Sequence, residues 1–284
     1  MTKTILTSLC LLASLTSCVN LYDVQGSSSM ANLDGRMLYL KGVQNDELLA
    51  MDSCDVVHGE FHFKGNLDTI SMVNLYMGDE WIMPVVLEEG PILINISTAQ
   101  QRVSGTPLND KLYEFLGEKI QIQNQMAELS HQESQAIMNG EDLEAVHASL
   151  MMQAQQLAMK LDRLETTFIT DNFDNILGPS IFETLCSGFQ YPIITPQIEE
   201  IMSRATDKFK SNPFVKNYYR TAQENMLLLQ GYEPGQQNAQ SEQIYSDIAR
   251  DANSEYNPGV DAPDNTQEPS QQQDAEADSL TPNP

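Results

Sequence analysis

The pattern of hydrophobic and polar positions changes character between Val85 and Asn109. Before this stretch, apolar residues alternate with polar ones, as in Glu60 to Lys64 and Pro91 to Ser97, which is typical of strands with one buried face. After it, apolar residues recur every seven positions, which is typical of paired helices. The order of the two patterns predicts an α+β fold, with an antiparallel β domain over residues 33–105 and a helical domain over residues 106–231.

Short runs with turn residues between them predict six strands in the β domain. Such a set favours a small antiparallel β-sandwich or an open barrel. Pro84 lies inside one run and has no backbone N–H, so this strand is expected at a sheet edge or a bulge. Trp81 in the same run is interpreted as a packing anchor at the core or its rim, and a ligand-stacking role is the alternative.

Gly105-Thr106-Pro107 marks the change to helix, with Thr106 as the capping hydroxyl and Pro107 in the first helical position. Two long helices follow and are separated by Asn139-Gly140, which predicts an antiparallel helical hairpin. Shorter helices are expected to start at Gly178-Pro179, Thr195-Pro196 and Asn212-Pro213.

Several side chains of the helical domain are expected to be buried. Tyr218 and Tyr219 are expected to pack toward the strands. Five methionines are interpreted as fillers of gaps in the core, with an exposed binding groove as the alternative: Met126, Met138, Met151, Met152 and Met159.

The charge of the chain excludes one class of partner. Its 284 residues include 40 acidic and 15 basic ones, for a net charge of -25. A surface of this sign repels nucleic acid. The stretch from Glu233 onward is rich in acidic residues, Gln, Pro and Ser, so we expect an acidic disordered tail over residues 232–284.

The start of the chain has the features of an export signal over residues 1–17. Lys3 precedes an apolar run from Ile5 to Leu15 that is too short to span a bilayer. The run ends in Leu15-Thr16-Ser17-Cys18, which resembles the lipobox of bacterial lipoproteins and implies lipidation of Cys18. An ordinary signal peptide with a chance Cys is the alternative. Residues 18–32 are interpreted as a Ser-rich tether.

No metal, cofactor or catalytic group is predicted. His58 and His62 are four residues apart, but a zinc site needs three or four ligands and no others stand at a suitable spacing. Cys54 and Cys186 are expected to be two separate buried thiols, with a disulfide as the alternative.

Several motifs together resemble a known family. They are Leu38-Tyr39-Leu40, Asp52-Ser53, Gly59 to Gly65, Leu87 to Gly90, Gly105 to Asn109 and Asp174 to Gly178. Their order is similar to that in the N-terminal domain of unknown function of Bacteroidota lipoproteins, over about residues 33–231. In many members a thioredoxin-like domain follows.

The chain departs from that fused pattern at its end. Gly259 to Asp264 resembles the opening of the thioredoxin-like domain, but the short remainder is a polar stretch rich in Gln, Asp, Pro and Ser. Thioredoxin chemistry also needs a C-x-x-C pair, which the sequence lacks. The family's redox chemistry is therefore not transferred to this chain.

Two further expectations depend on the resemblance. The acidic run that such lipoproteins often carry after the lipidated Cys is missing, which favours the periplasm over the cell surface. Thr69 and Ser279 match the short D-[ST]-apolar pattern of O-glycosylation in this bacterial group.

We therefore expect a non-enzymatic lipoprotein of the bacterial cell envelope. It would contact the membrane through Cys18 and act as a binding or scaffold module for a protein, peptide or glycan. The alternative is an accessory to a separate thioredoxin-like redox partner. A hydrolase ranks third, because neither a nucleophile elbow nor paired catalytic carboxylates are recognisable.

Overall fold

Two four-stranded sheets form the first part of the protein in a computed structural model that describes residues 21–44 and 47–230. Sheet A has the order β4-β1-β7-β8 and sheet B the order β3-β2-β5-β6. Only β1 and β7, among the described pairs, are parallel. The strands are β1 Leu21–Ser28, β2 Met37–Gln44, β3 Glu47–Asp55, β4 Glu60–Asn66, β5 Ser71–Met77, β6 Glu80–Leu87, β7 Gly90–Ile96 and β8 Gln101–Ser104.

One side of each sheet contributes to a shared core. In β7 the side chains of Ile92, Ile94 and Ile96 are buried while Leu93 and Asn95 are exposed, as the alternation predicts. The phenolic oxygen of Tyr22 on β1 donates to Asp52 on β3 at 2.9 Å and thus joins the two sheets. The predicted α+β fold with a largely antiparallel sandwich is confirmed, and the described strands form no closed barrel.

The predicted tether over residues 18–32 is wrong for Leu21–Ser28, which form β1 in the middle of sheet A. Tyr22 and Val24 are buried at alternating positions, but the next inward position is Gly26. A Cβ there would overlap the ring of Phe61 on β4. The glycine makes room for Phe61, and the same absence of a side chain hides the strand pattern in the sequence.

Pro84 behaves as predicted, because β6 is an edge strand of sheet B. A change of register between Leu75 and Tyr76 accompanies it on the neighbouring strand.

The described part of the chain continues with six helices: α1 Pro107–Asn139, α2 Leu143–Asp171, α3 Leu177–Ser187, α4 Pro196–Arg204, α5 Asp207–Lys210 and α6 Pro213–Leu229. The predicted hairpin is confirmed, since α1 packs along α2. Gly140 ends α1 in a left-handed conformation at φ 68°, and the Asp142 carboxylate accepts from the first N–H groups of α2. Thr195 and Asn212 cap α4 and α6. The short α5 was not predicted. None of the described helices is long and apolar enough to cross a bilayer.

Aromatic side chains form the core of the short helices. Phe182 makes edge contacts with Phe209, Phe214 and Tyr218, and the Tyr218 hydroxyl meets the backbone of Ile193 at 3.2 Å. The expectation that Tyr218 packs toward the strands is therefore wrong. Phe182 offers this ring a partner within the helical part itself.

The end of the sandwich at which β1 begins is called here the N-terminal end. Because β7 is parallel to β1, Gly90 pairs with Tyr22 at that end. The link from Leu87 to Gly90 is short, so β6 ends at the N-terminal end. Neighbouring strands of sheet B are antiparallel, so the turn from β2 to β3 lies at the N-terminal end as well.

Candidate binding surfaces

Two buried polar side chains fix the first turn of α1 to sheet B. The Asn109 amide accepts a hydrogen bond from the Val86 N–H at 2.9 Å and donates one to the Val86 carbonyl at 2.8 Å. It takes the place of a neighbouring strand at the edge of β6. One Glu88 carboxylate oxygen accepts from the backbone N–H groups of Leu108 at 2.8 Å and Asn109 at 3.1 Å. These N–H groups have no partner within the helix, so Glu88 caps it.

Thr106 is therefore not the capping side chain. Thr106 and Pro107 stand in the predicted positions, but the Thr106 hydroxyl makes no hydrogen bond to a helix N–H. It accepts instead from the Asn109 side chain at 2.9 Å. Glu88 takes over the cap because the turn between β6 and β7 brings its carboxylate under the helix.

A third contact sets the direction of α1. The Tyr113 hydroxyl donates to the Pro84 carbonyl at 2.8 Å. Asn109 meets Val86, and Tyr113, one turn later, meets Pro84, so α1 runs along β6 from the N-terminal end toward the opposite end of the sandwich. Burial raises the pKa of the Tyr113 hydroxyl, which keeps it a neutral donor.

The first turns of α1 and the last turns of α2, which form the base of the hairpin, are well packed against each other. Phe115 on α1 stacks on Phe168 of α2 with ring centroids 4.2 Å apart. Nearby the Lys119 ammonium meets the buried Glu165 carboxylate at 2.7 Å. Slightly farther along the hairpin, the Asp162 carbonyl accepts from the Gln197 side chain on α4 at 3.1 Å.

Residues 123–164 form what we call the arm, in which the only buried residue is Ala136. The two helices meet along half-buried residues such as Leu129, Val146 and Leu157. Near the tip, a groove of about 450 Å³ lies between them beside Ala136 and Leu150. The arm therefore holds together through a narrow seam and leaves most of both helices in solvent.

Four of the five methionines expected in the core are exposed on this arm, so that interpretation is wrong for them. Met138, Met151, Met152 and Met159 are between 56% and 81% exposed, and Met126 alone is half-buried. Ile137 and Leu143 beside the tip are also exposed. The alternative of an exposed binding surface fits these positions.

A second exposed surface lies on the outer face of sheet B. Tyr39, Tyr76 and Trp81 occupy adjoining positions on three strands. The Lys41 ammonium lies 4.7 Å from the centre of the Tyr76 ring, a cation–π contact. Trp81 is 55% exposed and donates its indole N–H to Asn74 at 2.9 Å. Trp81 is thus held in place at the surface rather than in the core.

The outer face of sheet A is polar. The Asp23 carboxylate meets His62 Nε2 at 2.7 Å, and this hydrogen bond is the main cause that lowers the pKa of Asp23. His58 is not on the same strand, because it lies in the turn before β4 with φ 54°. Within the described residues no group of three or more His, Cys, Asp and Glu side chains is arranged to hold a metal.

Cys54 and Cys186 are free thiols. Burial raises the pKa of Cys54 to about 11 and that of Cys186 to about 12. Cys186 is buried as expected, but Cys54 on β3 is only partly so. Thiols with pKa values this high are almost fully protonated at neutral pH, which makes them poor nucleophiles.

The β-sandwich and the first turns of α1 form one unit through Glu88, Asn109 and Tyr113, and a family match covers this unit. Residues 22–112 are a Domain of unknown function (DUF4369). The DUF4369 domain thus includes the residues from Tyr22 on β1 to Leu112 on α1, and it stops before the arm. Neither the curated proteins nor the solved structures include a significant match to the chain.

Of the predicted modification sites, Thr69 lies within the described residues, whereas Cys18 and Ser279 do not. Thr69 is exposed in the loop between β4 and β5, within the DUF4369 domain. Cys18, Ser279, the signal over residues 1–17 and the tail over residues 232–284 lie outside the described residues. Sequence reasoning missed Glu88 and Asn109 as structural groups, although both belong to motifs that it singled out.

Proposed function

We propose that this protein is a non-catalytic binding module of the bacterial cell envelope, held at the membrane by lipid on Cys18 and facing the periplasm. Its DUF4369 domain is the platform, and its arm is the surface that binds a protein partner. The exposed methionines of the arm are the observation that carries the proposal.

The arm is long for a part that adds so little core. A helix rises about 1.5 Å per residue, so the part of α1 within the arm, residues 123–139, extends for roughly 25 Å. Ordering each residue of such a hairpin costs conformational entropy, and the narrow seam between the helices offsets only part of it. A partner that covers the exposed apolar side chains supplies burial that the described part of the chain does not.

Methionine suits such a surface. Its side chain is unbranched and polarisable, and therefore adapts to differently shaped partners. Met151, Met152 and Met159 are spread over two turns of α2, and Met138 stands near the tip of the hairpin. A contact over these residues involves both helices.

Anchor and arm then lie at opposite ends. Leu21 is three residues from Cys18 in the chain, whereas α1 leaves the N-terminal end and runs along β6 away from it. A lipid on Cys18 would hold the N-terminal end near the bilayer, so that the arm reaches into the periplasm. The acidic surface is consistent with a protein partner and opposes nucleic acid.

Site-specific photo-crosslinking in intact cells tests the proposal. A photoreactive residue at Met152 should give a discrete adduct, while the same residue at Val57, which is 59% exposed on the sandwich, should not. Met159→Lys should abolish the adduct without changing the melting temperature, since Met159 is exposed. Equal adducts from positions 152 and 57, or adducts that persist in Met159→Lys, would show that the arm is not the binding surface.

A further inference from the structure

The hairpin of β2 and β3 carries exposed aliphatic side chains where it reaches the N-terminal end. Val43 pairs with Leu48 across the two strands, and Leu49 is the next residue along β3. These three residues, called here the apolar tip, are between 42% and 68% exposed.

The apolar tip projects beyond the sandwich. Successive residues of a strand point to opposite faces, so Leu48 and Leu49 lie on different sides of the hairpin. Both are nevertheless exposed, which means that sheet A does not cover even the inward side at this point. Within residues 21–44 and 47–230, no side chains bury the apolar tip on either face of the hairpin.

The apolar tip lies at the end where the chain would meet its anchor. Tyr22 donates its hydroxyl hydrogen to Asp52 at 2.9 Å, so the start of β1 is joined directly to β3. Cys18 precedes Leu21 by three residues, a span of at most about 11 Å for an extended chain. Leu21 itself is also exposed.

We propose that the apolar tip dips into the lipid bilayer and orients the sandwich on it. The inference rests on the lipid anchor proposed above. A domain attached to the membrane at one point can rotate freely relative to the bilayer. A second, apolar contact with the lipid restricts that rotation. With the apolar tip in the interface, the arm is directed away from the lipid.

The charges at this end select the kind of lipid surface. Glu47 at the start of β3, Asp68 between β4 and β5, and Glu89 between β6 and β7 are exposed at the N-terminal end. Carboxylates are repelled by anionic headgroups, so the contact should form on zwitterionic phosphatidylethanolamine and phosphatidylcholine and weaken as phosphatidylglycerol is added.

The only tryptophan of the chain provides the control for a depth measurement. Trp81 lies near the start of β6, at the end of the sandwich opposite the apolar tip. A Leu48→Trp, Trp81→Phe variant moves the single indole to the apolar tip. The mature chain from Cys18 is coupled through that thiol to a maleimide lipid in zwitterionic vesicles, with Cys54→Ser to leave Cys18 as the reactive thiol.

Lipids brominated along their acyl chains should quench the indole at position 48 and leave the native Trp81 emission unchanged. Emission from position 48 should also shift to the blue on coupling. A Val43→Trp, Trp81→Phe variant repeats the measurement from β2, the strand that pairs with Leu48. Equal quenching at both ends, or none at positions 48 and 43, would overturn the contact.

Coupling through the maleimide separates this test from the anchor itself, because the chain is held on the vesicle whether or not cells acylate Cys18. Mass spectrometry of the native N-terminus tests acylation independently. An unmodified Cys18 would refute the anchor, while absence of quenching in the coupled protein would refute the lipid contact.

Discussion

Replacing Asn109 by Ala removes the side chain that connects α1 to the edge of β6. Two backbone groups of Val86 lose their partners, and Val86 is fully buried, so water cannot replace the amide. Each buried group left without a partner costs about 1–3 kcal/mol. The better helix propensity of Ala offsets roughly 0.5 kcal/mol of this.

We therefore expect Asn109→Ala to lower the free energy of unfolding by about 2–5 kcal/mol. For a unit of this size, the melting temperature should fall by roughly 5–15 °C. Urea denaturation followed by circular dichroism at neutral pH measures the change. Asn124→Ala is the matched control, because Asn124 is exposed on the same helix. If the two variants unfold at the same urea concentration, the Asn109 amide does not secure the helix and the direction assigned to the arm loses its support.

Three further predictions concern other parts of the core. Gly26→Ala should destabilise the protein by about 1–3 kcal/mol in thermal melting, because the new methyl group meets Phe61. Gly117→Ala, in open space on α1, should stabilise it by up to about 1 kcal/mol. Equal effects of the two variants would mean that β1 is not packed as described. Lys119→Met should cost about 3–5 kcal/mol by leaving the Glu165 carboxylate buried and unpaired, and adding Glu165→Leu should restore most of it in urea denaturation. Alkylation of Cys54 in the folded protein should stay slow at pH 9 and accelerate only as the pH approaches 11, since its raised pKa keeps the thiol protonated below that range; rapid reaction at pH 8 would contradict this.

The parts of the fold that follow from local patterns were predictable. Alternating β-branched residues in β7 and the Asn139-Gly140 break in the hairpin carry their signals within a few residues. Capping residues before Pro196 and Pro213 are equally local. Such signals depend on neighbours in the chain, so they need no knowledge of the tertiary structure.

Other features depend on partners far along the chain. Phe61 lies in another strand from Gly26, and without that ring a glycine in a Ser-rich stretch is typical of a tether. Glu88 caps a helix that begins nineteen residues later, and no local pattern connects a carboxylate in a turn to that helix. Thr106 stands where a cap is normally found, so the local pattern predicts the cap at Thr106.

The prediction that the methionines lie in the core is wrong for a different reason. A seven-residue repeat shows that two helices pair, but it does not show how far the pair extends beyond the domain that supports it. Beyond the Lys119 and Glu165 pair most described residues of the hairpin are exposed, and Met152 and Met159 are surface residues. Helical periodicity therefore predicted the hairpin correctly and its environment wrongly.

The protection of two sheet edges against pairing with another strand contrasts with the exposed apolar groups at the two ends of the molecule. The edge of β6 is protected by side chains of α1, and β8 is only four residues long, so neither invites pairing with another strand. Among residues 21–44 and 47–230, no side chains protect the apolar tip or the outer sides of the arm in this way. Exposed carboxylates at the N-terminal end, such as Glu47 and Glu89, discourage nonspecific association. The apolar tip and the arm thus each expose a group of apolar side chains, in addition to others such as Trp81 and Val57 on the sandwich.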